Sequence, residues 1–261
     1  MDWLNALAGL LVGTVVGVTG VGGGSLMSPI LILLFGVAPA TAVGTDLFFA
    51  AITKTAGSIV HHKQKGADLA IVRWLMLGSI PAAIATLYFL FERGAHQVKG
   101  GIIVDALGTM LIITSAATLF RNQLVKLMVR TDDDERARRF IRWQPALTVL
   151  AGATLGTLVT LTSVGAGALG ATLLVMLYPL RLTAKRLVGT DIMHAVPLTL
   201  VGGIGYLIVG SVDVKLLGSL LVGSIPGIII GSRLTGILSE GTVRTALAVI
   251  LAIAGAKLLL V

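Results

Sequence analysis

Two aspartates in an otherwise apolar chain carry the first chemical signal. Asp46 closes Val43-Gly44-Thr45-Asp46, and Asp191 closes Val188-Gly189-Thr190-Asp191, 145 positions later. Both lie within long apolar segments, where an ionisable group is costly and lines a cavity, pairs with a base or carries protons. Lys54 follows Asp46 on one segment; His194 stands three residues after Asp191, on the same helical face. His194 has a side chain that titrates near neutral pH, and Lys54 has the charge to attract an anion. Coupling and structural roles suit these four residues equally.

Glycines break the chain upstream of each aspartate. Thr19-Gly20-Val21-Gly22-Gly23-Gly24 aligns with Thr162-Ser163-Val164-Gly165-Ala166-Gly167 at an offset of 143. A helix restarting after such a break, at Ser25 or near Ala168, begins with unpaired N–H groups and a positive dipole end. Inside a membrane those groups must face protein or a wet cavity. Glycine permits the reversal and a close approach of ligand to backbone. Two such ends brought together make a site for a small anion. The expected lining is Gly22, Gly23, Gly24, Ser25, Gly165, Ala166 and Gly167, with the hydroxyls of Thr19, Thr45, Thr162, Ser163 and Thr190 as donors. The plainer alternative is that the glycines only let helices pack closely.

The elements that must position these groups are also duplicated. Gly78-Ser79-Ile80-Pro81 recurs as Gly223-Ser224-Ile225-Pro226, again 145 positions on. Paired broken segments in a duplicated apolar chain are the pattern of secondary transporters. The first half reads as half-helices over 4–18 and 25–36, then spans over 41–60, 69–91 and 99–120. The second half repeats this at 146–162, 168–179, 184–209, 214–237 and 242–260. Pro29, Pro81 and Pro226 fall inside apolar stretches and read as packing kinks before hinges.

Loop charge sets direction. His61, His62, Lys63 and Lys65 make a basic loop, and Arg121 to Arg142 a basic linker, both expected to face the cytoplasm. The cluster Arg181, Lys185 and Arg186 stays on that side only if the broken segment is a re-entrant hairpin. Each half is then a hairpin plus three spans, which inverts the second half relative to the first. The expected fold is all-α and polytopic: a first repeat over 1–120, a basic cytoplasmic linker over 121–145 and a second repeat over 146–261. Both termini are expected outside. In the linker, Thr131 with Asp132, Asp133 and Asp134 reads as a helix start, opening a short surface helix.

Composition excludes other classes. Of 261 residues 56% are hydrophobic and 12% charged, against about a quarter charged in a soluble domain. The absence of cysteine excludes disulfides, thiolate catalysis and iron–sulfur clusters. The net charge of +8 lies in loops, the pattern of orientation in a membrane and not of nucleic-acid binding. Met1-Asp2-Trp3 lacks the basic start of a cleavable signal, so the first apolar stretch is expected to stay. Trp3, Trp74 and Trp143 read as interface anchors.

With these motifs in view, the chain resembles the TauE/SafE family of sulfite and organosulfonate exporters, over nearly all of both halves. The carriers are Gly-Val-Gly-Gly-Gly-Ser-Leu-x-x-Pro at 20–29, Gly44-Thr45, and the stretch at 66–81 from Gly66 and Asp68 to Gly-Ser-Ile-Pro, with its second-half counterpart. The resemblance implies an inner-membrane carrier of sulfite, sulfoacetate, thiosulfate or a similar small anion. Asp46 and Asp191 depart from the small or hydroxyl residues common there.

The sequence thus reads as a secondary transporter, an exporter of a small sulfur-containing or carboxylate anion, coupled to protons by alternating access. Its expected partners are that anion, protons and the lipid bilayer, with a homodimer left open, and no nucleic acid, metal or cofactor. An anion channel would share the same site. An intramembrane enzyme using Ser25 and His194 is disfavoured, because their matched positions are Ala168 and Phe49.

Overall fold

The computed structural model describes residues 3–19, 23–60, 66–92, 100–129, 134–179, 181–234 and 240–260. Among them the chain is all helical: α1 (Trp3–Thr19), α2 (Met27–Leu33), α3 (Pro39–Val60), α4 (Leu69–Glu92), α5 (Gly100–Val129), α6 (Asp134–Thr162), α7 (Ala168–Leu177), α8 (Ala184–Ile208), α9 (Val214–Leu234) and α10 (Glu240–Leu259). A 3₁₀ turn over Gly23–Leu26 leads into α2. An apolar chain in lipid must satisfy its own backbone, and helices do so within one segment.

Among the described residues six helices are long and apolar enough to cross a membrane: α4, α8, α9 and α10, the Gly101–Arg121 part of α5 and the Ile141–Thr162 part of α6. Large side chains such as Leu77, Phe89 and Ile253 point outward, as lipid-facing positions do. The helix α3 has the length but carries Asp46 and Lys54, so it falls outside these six. The restarting helices are short: α2 has 7 residues and α7 has 10. At about 1.5 Å per residue neither crosses.

The expected half-helix over 146–162 is longer than its sequence suggests, running from Asp134 as one 29-residue helix. The stretch 121–145 therefore holds the end of α5 and the start of α6 rather than a separate short helix. Residues 130–133, which carry most of the acidic start, lie outside the described residues, as do His61, His62, Lys63, Lys65 and Gly22.

Side chains near the loops start the long helices. Pro39 opens α3, where its missing N–H costs nothing. Asp68 Oδ1 accepts from the Ile71 N–H ahead of α4 at 3.3 Å, and Asp213 Oδ1 accepts from Lys215 and Leu216 ahead of α9 at 2.9 Å each.

Packing is reciprocal between the halves. On α1, Gly9, Gly13 and Gly17 meet Leu220, Ser224 and Ile228 of α9, so these helices run in the same direction. On α6, Gly152 and Gly156 meet Leu75 and Ser79 of α4 in the same sense. A Cβ at Gly223 would strike the Ala6 carbonyl, and one at Gly78 the Val149 carbonyl. Glycine is required at these two crossings because the backbones touch. By contrast α3 and α8 run oppositely, with Leu47 on Gly202 and Lys54 on Asp191. So do α5 and α10, where Gly108 meets Leu259 and the Ser115 hydroxyl donates to Ala248 O at 2.7 Å.

Candidate functional site

The two aspartates lie at matched points of α3 and α8, each against the short helix of its own half. Asp46 is fully buried. Its Oδ2 accepts from the Ser28 N–H at 3.0 Å and from the Ser28 hydroxyl at 2.6 Å. Ser28 is the second residue of α2, so this N–H belongs to the first turn, which has no intrahelical acceptor. Asp46 thus caps α2 from a neighbouring helix. The helix end expected to receive an anion already holds a carboxylate of the protein.

The other oxygen of Asp46 is different. Oδ1 is buried and has no hydrogen-bond partner. Ser163, in the second break, lies among the groups acting on this carboxylate, and its buried hydroxyl is also unpartnered. Ser163 has φ of 57°, in the left-handed region that a residue with a Cβ occupies at a cost of about 1–3 kcal/mol. Two orphaned oxygens therefore lie near each other where the second half's break approaches the first half's acid.

Asp191 is buried too, but with a cation. Lys54 Nζ lies 3.3 Å from Asp191 Oδ2 and donates to the Ala166 carbonyl at 2.5 Å. Lys54 is 7% exposed and is the one buried Lys or Arg among the described residues. A Cβ at Gly170 would come within 2.8 Å of Asp191 Oδ1, so that glycine lets the acid lie against α7. His194 shares a helical face with Asp191 but bonds elsewhere. Its Nε2 is 2.9 Å from the Ser79 hydroxyl of α4, which ties Gly-Ser-Ile-Pro of the first half to α8.

The remaining expected residues divide into two groups. Ala166 supplies the carbonyl that holds Lys54, Gly165 turns the chain with φ of 108°, and Gly167 precedes α7. Gly23, Gly24 and the buried Ser25 form the 3₁₀ turn before α2. The hydroxyls mostly serve the scaffold. Thr19 donates to Val15 O at 2.8 Å, and Thr162 donates to Leu158 O at 2.7 Å while accepting from the Val164 N–H. Thr45 accepts from the Asp213 N–H at 3.1 Å, and Thr190 accepts from the Asp68 N–H at 2.9 Å. Each threonine of a Gly-Thr-Asp motif therefore fastens a loop of the opposite half.

Other side chains complete the surroundings of the two acids. Ser28 holds Asp46 from 18 residues away with no spacing to announce it. Asp68 accepts a two-point contact from Arg181, Nε to Oδ2 at 2.8 Å and Nη2 to Oδ1 at 3.0 Å. The matched placement of Asp68 and Asp213, 145 apart, was a signal for the second of these. At the far end of the second break, Gln144 Nε2 donates to Leu177 O at 2.9 Å and Thr148 meets the Tyr178 hydroxyl at 2.7 Å. Those contacts join the early part of α6 to the end of α7.

A family profile described as "Sulfite exporter TauE/SafE" matches residues 5–258. Three proteins of Bacillus subtilis (strain 168), each named a probable membrane transporter protein, are similar. YjnA is 40% identical over 218 residues, covering 80% of this chain and 81% of its own. YdhB is 27% identical over 256 residues, 98% and 99% of the two chains. YunE is 26% identical over 217 residues, 78% of each. No solved structure matches.

Proposed function

The chain belongs to the sulfite exporter TauE/SafE family of membrane transporters, and from that premise we propose that it exports a small anion such as sulfite or an organosulfonate, coupled to protons. The reading places the anion between the two breaks, among Ser25, Ser163, Gly165, Ala166 and Gly167. The observation that carries it is the charge arrangement there: two buried acids and one buried cation converge on the breaks of an apolar bundle. Buried charge in a membrane is maintained where an ion or proton must pass.

Alternating access needs two halves of opposite sense, and the helix directions support that arrangement. Asp68 with Thr190 and Ser79 with His194 align α4 with α8. Because α6 runs with α4, and α3 runs against α8, α3 and α6 are opposed. A turn over 209–213 reverses α9 relative to α8, and α1 runs with α9. Each long helix of the first half is then opposed to its counterpart. Re-entry of the second break is supported by Gln144 and Thr148 meeting Leu177 and Tyr178. Arg181 on Asp68 supports a shared side for the loops near 66 and 181.

Flux into liposomes tests the function. Sulfite or thiosulfate should accumulate against its gradient when a proton gradient is imposed, and accumulation should collapse with an uncoupler. Flux that only equilibrates the anion would make the protein a channel. Tagging residue 1, residue 212 and the linker near 130 tests the orientation; a cytoplasmic residue 1 would overturn it.

A further inference from the structure

Resting on the anion-carrier reading, we infer that Lys54 is the charge that binds the transported anion, and that the anion takes it from Asp191, which then accepts a proton. Three observations converge on Lys54. It is the one buried Lys or Arg among the described residues, and so the fixed positive charge that those residues offer to an anion entering the bundle. Its ammonium reaches across from the first half to the Ala166 carbonyl, inside the second break. Its contact with Asp191 is 3.3 Å, longer than the 2.7–2.9 Å of a tight charge-assisted bond.

The exchange follows from electrostatics. A carboxylate and an anionic ligand cannot both draw on one ammonium without repelling each other in a low-dielectric site. When the anion pairs with Lys54, Asp191 is left buried with no cation, a state that costs several kcal/mol unless it is neutralised. Neutralisation is by one proton from water: the carboxylate becomes a carboxylic acid, Lys54 stays an ammonium, and the new pair is anion and ammonium. Binding of one anion thereby takes up one proton; release of the anion on the far side frees that proton to water there and returns Lys54 to the Asp191 carboxylate.

Among the described residues, the other groups around Asp191 do not offer a substitute charge. His194 stands one turn along α8, and its Nε2 is engaged by Ser79. On α4, Arg73 and Glu92 are exposed, as is Arg142 on α6, and α7 has no titratable residue. On α3, Asp46 is held by Ser28.

The test uses the purified full chain in detergent with thiosulfate, an anion that stays fully ionised near neutral pH and takes up no proton itself. Calorimetry in buffers of different ionisation enthalpy reads affinity and proton uptake together. The wild type should take up a proton per thiosulfate bound. Asp191→Asn should bind without that uptake. Lys54→Met should bind about tenfold more weakly or worse. Because Lys54→Met strands Asp191 and threatens folding, the double variant Lys54→Met/Asp191→Asn, which removes both charges, serves as the folded control and should show the same loss of affinity. Wild-type affinity in the double variant, or proton uptake persisting in Asp191→Asn, would overturn the inference while leaving an anion carrier. Failure of the wild type to bind thiosulfate, sulfite, sulfoacetate or acetate would overturn the carrier reading itself.

Discussion

Asp46 and Asp191 occupy the same place in two copies of one design, 145 residues apart, and they have been given different partners. Asp46 leans on an amide and a hydroxyl of Ser28, both neutral, and keeps one oxygen free. Asp191 leans on an ammonium. The matched positions explain the divergence. At the offset of 145, Lys54 corresponds to Thr199, whose hydroxyl turns back to Ala195 O. At the offset of 143, Ser28 corresponds to Ala171. Each half has one polar partner where the other has none. Duplication kept the acid and the break, and sequence change then assigned each acid a separate electrostatic state.

The sharpest way to break this comparison is to remove each acid in turn. Asp191→Ala leaves Lys54 buried without its counter-charge and should cost about 3–5 kcal/mol of stability. Asp46→Ala strands no cation, only the Ser28 donors, and should cost about 1–3 kcal/mol. Thermal melts in detergent compare the two. Adding Lys54→Met to Asp191→Ala should recover most of the loss, whereas adding it to Asp46→Ala should deepen it. Equal losses from the two single variants would mean that the ion pair has no special standing.

The scaffold should behave in the opposite way, identically in both halves. Gly78→Ala and Gly223→Ala each drive a methyl group into a carbonyl of the helix alongside, Val149 in one case and Ala6 in the other. Each should cost about 1–3 kcal/mol, the range for overpacking a closed contact. Gly218→Ala lies on α9 with nothing within 4 Å of the added methyl and is the control. It should raise stability by about 0.5–1 kcal/mol, because alanine loses less backbone freedom in a helix. Unequal losses at the two crossing glycines would break the correspondence between α1·α9 and α4·α6.

This split between conserved scaffold and divergent charge also marks what the sequence could and could not disclose. The repeat is legible because identical tetrapeptides at one offset require no knowledge of space. The breaks are legible because glycine clusters interrupt apolar runs. The start of α6 is not: its charged run looks like a linker, and Pro145 looks like a stop. The helix passes Pro145 because the acceptor that proline frees belongs to Ile141, an exposed residue at the membrane edge where water can satisfy it. The partner of each aspartate is also illegible. Ser28 and Asp46 meet across a helix–turn–helix, and Lys54 and Asp191 across 137 residues, so neither pair leaves a local period. His194 shows the hazard of local spacing: three residues from Asp191 on one face, it turns instead to Ser79.

The smallest expected effect is the most discriminating about the loops. Thr45 and Thr190 perform the same act, each accepting from a loop N–H of the opposite half. Their surroundings differ. Asp68, fastened by Thr190, is buried and also clasped by Arg181; Asp213, fastened by Thr45, is exposed. After Thr45→Val, water can take up the freed Asp213 N–H, and the loss should be close to zero. After Thr190→Val, the Asp68 N–H is left in a buried site, and the loss should approach the range for hydrogen bonds between membrane helices, about 0.6–1.7 kcal/mol. Hydrogen exchange of the two loop amides reads the difference directly. Thr190→Val should speed exchange at Asp68, while the Asp213 amide should exchange readily with or without Thr45. Equal protection of the two amides in the wild type would show that exposure does not separate the loops, and the reciprocal contacts would then be energetic equals.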